Sequence, residues 1–309
     1  MNQSTLEAAP AAPTRTAAQT SILAMIGAVL CWGTGPVMSK SALNFSGPLF
    51  LLVIQLAASL VFLFIALIVT KKLGRLNRAV LKPALTGILE PGLGYGLGNI
   101  GLVTTTVSAA TLLGPSEAIF TCVLGFVFFK KRPNLITLIS IVSIAVGVAL
   151  IVAPSLSGRR EVGSFVGNMF VLSGDVAAAL YITLSSKLLE TQDPLVLAFS
   201  QQVAGLVMVM AWLGMSMLAG TETPLLLHLT LSQIAYAALS GVIEFGPPMW
   251  LFLIALRALP ANVVAIMMSL VPVVAIVEAR IFLGEAMAPV QVIGGAMIVL
   301  TMLVIRRGE

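Results

Sequence analysis

From residue 21 to residue 305 the chain is a succession of apolar runs, each close to the roughly 20 residues a helix needs to cross a bilayer. They fall at 21–39, 47–69, 81–102, 106–129, 135–153, 165–186, 194–219, 231–256, 261–283 and 287–305. Inside hydrocarbon every backbone N–H and C=O must be paired within the protein, so runs of this length admit helices and little else. Only 9% of the residues are charged, against about a quarter in soluble domains, and the connections are too short to hold a soluble domain. The expected fold class is therefore an all-α integral membrane protein with ten transmembrane helices. Gly and Pro interrupt the third and eighth runs.

Two octapeptides reveal a repeat. LTGILEPG (85–92) and LSGVIEFG (239–246) agree at four positions and differ conservatively at three more, and each carries a glutamate, Glu90 or Glu244, in apolar surroundings. At the same offset, residues 85–151 align on 239–305 without a gap. Upstream the register shifts: PLFLLVIQ (48–55) matches PLVLAFSQ (194–201), pairing Gln55 with Gln201, and Ser39-Lys40 is paired with Ser186-Lys187. Glutamate and glutamine are scarce enough, ten and eight residues in 309, that each chance match has a probability of about 3%. We read two five-helix repeats, 20–155 and 163–306, preceded by a disordered cytoplasmic tail at 1–19 that is rich in Ala, Pro and Thr.

An odd number of crossings per repeat turns the second half upside down relative to the first, and charge tests this independently. The loop after the second run holds Lys71, Lys72, Arg75, Arg78 and Lys82, whereas its counterpart at 220–230 has no Lys or Arg. The loop after the fourth holds Lys130, Lys131 and Arg132, and its counterpart near Gly284 again has none. With an inside N-terminus, only Lys40, Arg159, Arg160 and Arg280 of the 17 basic residues lie outside, as the positive-inside rule requires. Both termini are expected in the cytoplasm, in a bacterial inner membrane. The first run has no small-residue cleavage site behind it and reads as a retained span. The net charge of +5 reflects this topology and implies no nucleic-acid partner.

Inverted repeats with helices broken at corresponding positions point to a secondary transporter with its site near the midplane. The stretch SLVPVVAIVEARIFLGE (269–285), running into a Gly-containing last run, resembles the EamA type of the drug/metabolite transporter superfamily. The resemblance covers residues 20–306 and implies export of small metabolites such as amino acids or organic cations. The superfamily pattern places Glu-Pro in mid-span and Leu-Gly-Glu at the span's end. The second half keeps Pro272 and Leu283-Gly284-Glu285, while the first half has Glu117-Ala118 and then Lys131 in those places.

A charge at the bilayer centre costs about 2.5–3.5 kcal/mol on insertion scales, so intramembrane carboxylates are candidates for substrate binding or coupling. Glu90 and Glu244 lead, and Glu117 follows. Asp175 reads as a packing residue, Glu278 and Arg280 as a solvated or salt-bridged span end, and Gln55 and Gln201 as ties between helices. Trp32, Tyr95, Tyr181 and Trp250 are candidate faces for an apolar or cationic substrate. In an unbroken helix Tyr95 lies roughly 140° around from Glu90, so the two share a surface only if the helix distorts there. Gly92, Gly94 and Gly96 in the third run, and Pro247 and Pro248 in the eighth, are the expected helix-break residues.

Gly96-x-Gly98-x-x-Gly101 matches a dinucleotide fingerprint, which needs a preceding strand that a membrane span cannot supply. The alternatives to a transporter are a membrane-embedded enzyme or a channel. His228 is the only histidine and falls in an outer loop, and no metal spacing, Ser/His/Asp set or GxxxxGK[ST] motif occurs. We therefore expect no enzyme activity, no metal and no cofactor. The expected partners are a small-molecule substrate and the lipid bilayer, with protons as a candidate coupling ion.

Overall fold

The computed structural model describes residues 15–129, 135–157, 163–188, 192–222, 229–256, 259, 267–268 and 270–305. Lys130, Lys131, Arg132, Arg159, Arg160 and His228 lie outside the described residues, as do residues 1–14 of the expected tail. Among the described residues the chain forms ten successive helical spans and no strand.

The first span runs Arg15–Ala42, so residues 15–19, read from sequence as tail, belong to a helix. RTAAQ consists largely of good helix formers, and nothing between Pro13 and the apolar run breaks the backbone pattern. The second span is Pro48–Val69, the sixth Phe165–Leu188 and the seventh Pro194–Leu218. The fifth is Leu135–Val152 and the tenth Pro289–Ile305. The ninth is described as Val271–Phe282. The third, fourth and eighth are interrupted. The third proceeds through Leu81–Ala84, Leu85–Ile88, Leu89–Leu93 and Gly94–Thr104. The fourth is Val107–Leu113, a tight turn Gly114–Ser116, and Glu117–Phe129. The eighth is Leu231–Phe245 followed by Pro247–Leu256. The third, fourth and eighth spans are thereby divided into shorter pieces, and among the described residues five helices are individually long and apolar enough to span a membrane.

The two halves interlock through close backbone approaches. A Cβ at Gly87, in the third span, would lie 1.8 Å from the Gln201 carbonyl oxygen of the seventh. The corresponding Gly241, in the eighth, would place one 2.2 Å from Gln55 Cα of the second. Each half thus seats its own third helix on the second helix of the other half. The fifth and tenth spans cross at Gly147 and Gly294, where either Cβ would come within 2.8 Å of the other residue's carbonyl oxygen.

Polar contacts sort the loops to two ends. At one, Asp193 caps the seventh span through the N–H groups of Leu195 and Val196 and pairs with Lys72 at 2.8 Å and Arg75 at 3.0 Å. At the other, Glu222 accepts from the Leu49 and Phe50 N–H groups at the start of the second span. There too Glu285 accepts from the N–H groups of Val107 and Ser108, at 2.8 and 2.9 Å, and from the Ser108 hydroxyl at 2.9 Å. Lys40 donates to the carbonyls of Leu102 and Thr105 where the third span ends. Carboxylates at helix N-termini and an ammonium at a C-terminus match the helix dipoles, so this end is closed by complementary charge. Among the described residues Glu278 has no ion-pair partner: it accepts from Thr34 of the first span at 2.9 Å, and Arg280 donates to the Glu285 carbonyl.

Candidate functional site

The octapeptide that recurs in the sequence positions three things at once. Its second residue, Thr86 or Ser240, accepts a hydrogen bond from a glutamine of the other half: Gln201 to Thr86 at 2.7 Å, Gln55 to Ser240 at 3.0 Å. Its third, Gly87 or Gly241, admits that glutamine's backbone. Its sixth is the glutamate. Each glutamine also donates to a serine 16 residues before it, Gln55 to Ser39 at 2.8 Å and Gln201 to Ser185 at 3.1 Å. The structure therefore pairs Ser39 with Ser185. The sequence register, which set Ser39 opposite Ser186, is off by one residue, because Ser185-Ser186 offers two equivalent matches to a linear comparison.

Prolines set the breaks. A residue preceding proline is pushed out of the helical region, and proline itself donates no N–H. Glu90, before Pro91, takes φ −145°, ψ 123°, and the backbone resumes in a wide turn at Leu89–Leu93. Gly246, before Pro247, takes φ −94°, ψ −86°. The break in the eighth span thus lies just past its glutamate, and that in the third lies on it. Gly92, Gly94 and Gly96 are not themselves the break. Gly94 lies against Gly174 of the sixth span, and Gly96 faces Trp212 at 2.6 Å from a built Cβ.

A cavity of about 850 Å³ lies where the halves meet. Glu90, Glu117 and Glu244 line it, together with Trp32, Tyr95 and Tyr181. With the helix distorted at Glu90, Tyr95 and Glu90 line the same cavity. Tyr95 also packs edge-on against Phe245, ring centroids 4.6 Å apart. Trp250 is elsewhere: it packs against Phe62 beside the Leu63–Leu67 cluster. Phe252 takes the place expected for it and meets Trp32 at 5.7 Å. Restarting the helix at Pro247 resets its phase, which spacing from Glu244 does not reveal.

Sequence reasoning also missed the wall formed by Gln201, Gln202 and Thr121, and it read Asp175 as packing only. A smaller cavity of about 230 Å³ shares Glu90, Glu117 and Glu244 with the first and adds Asp175 and Asn99. Asp175 accepts from Ser116 at 3.1 Å. Thr121 Oγ1 is buried without a hydrogen-bond partner among the described residues. No Lys, Arg or His lines either cavity among the described residues. In the second, sixth, seventh and eighth spans, the residues that line the larger cavity lie toward the Lys72–Asp193 end.

Ten spans in two interlocked halves around a central cavity that holds three glutamates define a multi-pass membrane transporter. The EamA-like transporter family matches the chain twice, over residues 19–153 and 165–307, and the chain belongs to that family. An "uncharacterized transporter" of Clostridium kluyveri is 25% identical over 222 residues, 70% of this chain and 69% of that protein. Another, of Archaeoglobus fulgidus, is 22% identical over 281 residues, 90% and 96% of the two chains. A solved crystal structure superposes with a TM-score of 0.61 over 94% of this chain and 95% of its own, at 16% identity, which shows a common fold.

Proposed function

We propose that the protein is a secondary transporter that exports small metabolites carrying a protonated amino group or another organic cation, by alternating access. The observation that carries this reading is the cavity itself: three glutamates and five aromatic rings, with no basic side chain among the described lining residues. Carboxylates held away from water need compensating charge. A bound cation supplies it in one state and protons in the other, so the same site serves substrate binding and proton-linked exchange. Aromatic faces add cation–π attraction of about 0.5–2 kcal/mol each when desolvated. The unpartnered Thr121 hydroxyl offers a further polar contact to a solute.

The clamped end carries the loops expected outside, so the arrangement corresponds to a stage in which the cavity faces the cytoplasm. Both termini then lie in the cytoplasm, and the membrane is the bacterial inner membrane. A resistance screen tests the function. Cells overproducing the protein should tolerate several-fold more of a toxic amino acid or cationic dye than cells producing Glu90→Gln. Equal tolerance across amino acids, dyes and nucleosides, with both proteins present in the membrane, would reject the reading.

A further inference from the structure

The two repeat-related glutamates occupy different hydrogen-bonding frames. On the Glu244 side the donors run in one direction. Asn99 donates its amide to the Gln55 carbonyl oxygen at 3.4 Å, which turns the Gln55 amino group toward Ser39 and Ser240. Ser240 gives its own proton to the Ala237 carbonyl, so it can only accept from Gln55. Ser39, accepting from Gln55, has one proton left and donates it to Glu244 at 2.7 Å. Ser39, Gln55 and Ser240 are all fully buried. The chain of donors ends on a carboxylate oxygen, a charge-assisted bond of the strong kind.

On the other side the same frame meets a phenol instead of a carboxylate. Gln201 donates to Ser185 and Thr86 as Gln55 does to Ser39 and Ser240, but its carbonyl oxygen accepts from Tyr181 at 3.0 Å. Among the described residues no carboxylate is hydrogen-bonded to this frame. In the register set by Ser39 and Ser185, Tyr181 corresponds to Gly35. Gly35 is where the Glu244 side chain crosses the first span: a Cβ there would meet Glu244 Cγ at 2.7 Å and Cβ at 2.8 Å. One half leaves a gap for its glutamate to reach the serine. The other fills that gap with a phenol, and Glu90 lines the cavity with no Ser39-like hydroxyl bonded to it among the described residues.

We infer that the two glutamates have separate roles: Glu244 is an anchored positioning residue that ties the first, second and eighth spans together, and Glu90 is the carboxylate that meets the transported solute. The Gly35/Tyr181 exchange is the device that separates them. This rests on the cavity being the transport site, but it is testable without any solute.

Dicyclohexylcarbodiimide is a hydrophobic reagent that forms an N-acylurea on membrane-embedded carboxylic acids with room to receive it. Applied to membranes containing the full chain and read residue by residue by mass spectrometry, it should modify Glu90 about ten-fold faster than Glu244, the ratio one hydrogen bond to a charged group supports. Ser39→Ala should raise the Glu244 rate toward that of Glu90 and leave Glu90 unchanged, and Ser39→Thr, which keeps the hydroxyl, should restore it. Tyr181→Gly should slow modification of Glu90 by letting it swing toward Ser185. Equal rates at the two glutamates in the unaltered protein, a comparison that needs no variant to fold, would overturn the assignment. So would a Glu244 rate indifferent to Ser39→Ala. Loss of the proposed transport with this labelling pattern intact would defeat the functional reading and leave the anchored and free glutamates as described.

Discussion

Asp193 shows how much a single residue at a span end can hold. Its burial alone would push the carboxyl up, but hydrogen bonding and attraction from the Lys72 ammonium, with the Leu195 and Val196 N–H groups, hold it below the usual carboxylate range. A depressed value means stability that is present above the unfolded carboxyl's range and is lost as the pH falls through the folded one. Asp193→Ala should destabilise the protein by about 1–2 kcal/mol through the lost cap, with at most about 1 more from the part-exposed ion pair. Asp193→Asn, which keeps a capping oxygen, should lose less, and its melting temperature should no longer share the acid-dependent part of the fall. Thermal melts in detergent between neutral pH and about pH 3 measure both. The residues of the cavity were legible to a similar degree. Intramembrane carboxylates stand out because hydrocarbon makes them costly, so Glu90, Glu117 and Glu244, singled out by the repeat and by their place within apolar runs, are residues that line the cavity. Trp250 was misplaced and Asp175 underrated because which way a side chain faces after a helix break depends on tertiary packing.

At the scale of helices, the repeated octapeptide is a junction rather than a charge on its own. Its hydroxyl and glycine engage a glutamine of the other half, and those glutamines are the second repeated signal in the sequence. Adding a methyl at Gly87 or Gly241 drives it into backbone, 1.8 Å from the Gln201 carbonyl oxygen or 2.2 Å from Gln55 Cα. Gly87→Ala and Gly241→Ala should each cost at least the roughly 1–3 kcal/mol of an overpacked core, seen as loss of the monodisperse peak in size-exclusion chromatography. Gly214→Ala, where a Cβ meets nothing within 4 Å, should behave as the parent. The Glu285 clamp was hidden from symmetry arguments because Lys131 stands in its place in the first half; it is read only from the fourth span's N-terminus. Removing it with Glu285→Ala should loosen the clamped end. A cysteine placed at the buried Leu102 should then react about five-fold faster with an impermeant maleimide, as loss of roughly 1 kcal/mol of helix-terminus stabilisation allows.

For the whole molecule, the bilayer is what made the sequence readable. Its thickness fixes run length and its intolerance of unpaired backbone fixes helices, so the spans expected from apolar runs agree with the observed ones within a few residues at most ends. What the bilayer does not specify is register between helices, which is where the one-residue slip at Ser39 and Ser185 arose. On the proposed topology, with residues 156–162 outside and the C-terminus inside, a reporter active only in the periplasm should be silent after Arg307 and active within 156–162. The opposite pattern would invert the molecule. The most direct test of the account is efflux from proteoliposomes loaded with a mixed panel of isotopically labelled amino acids and organic amines, followed by mass spectrometry with a pH gradient imposed. At least one amine-bearing compound should leave chemically unchanged, at a rate that saturates with concentration and collapses in Glu90→Gln. Retention of every compound by correctly reconstituted protein, a flux that rises without saturating, or a chemically altered product would contradict it.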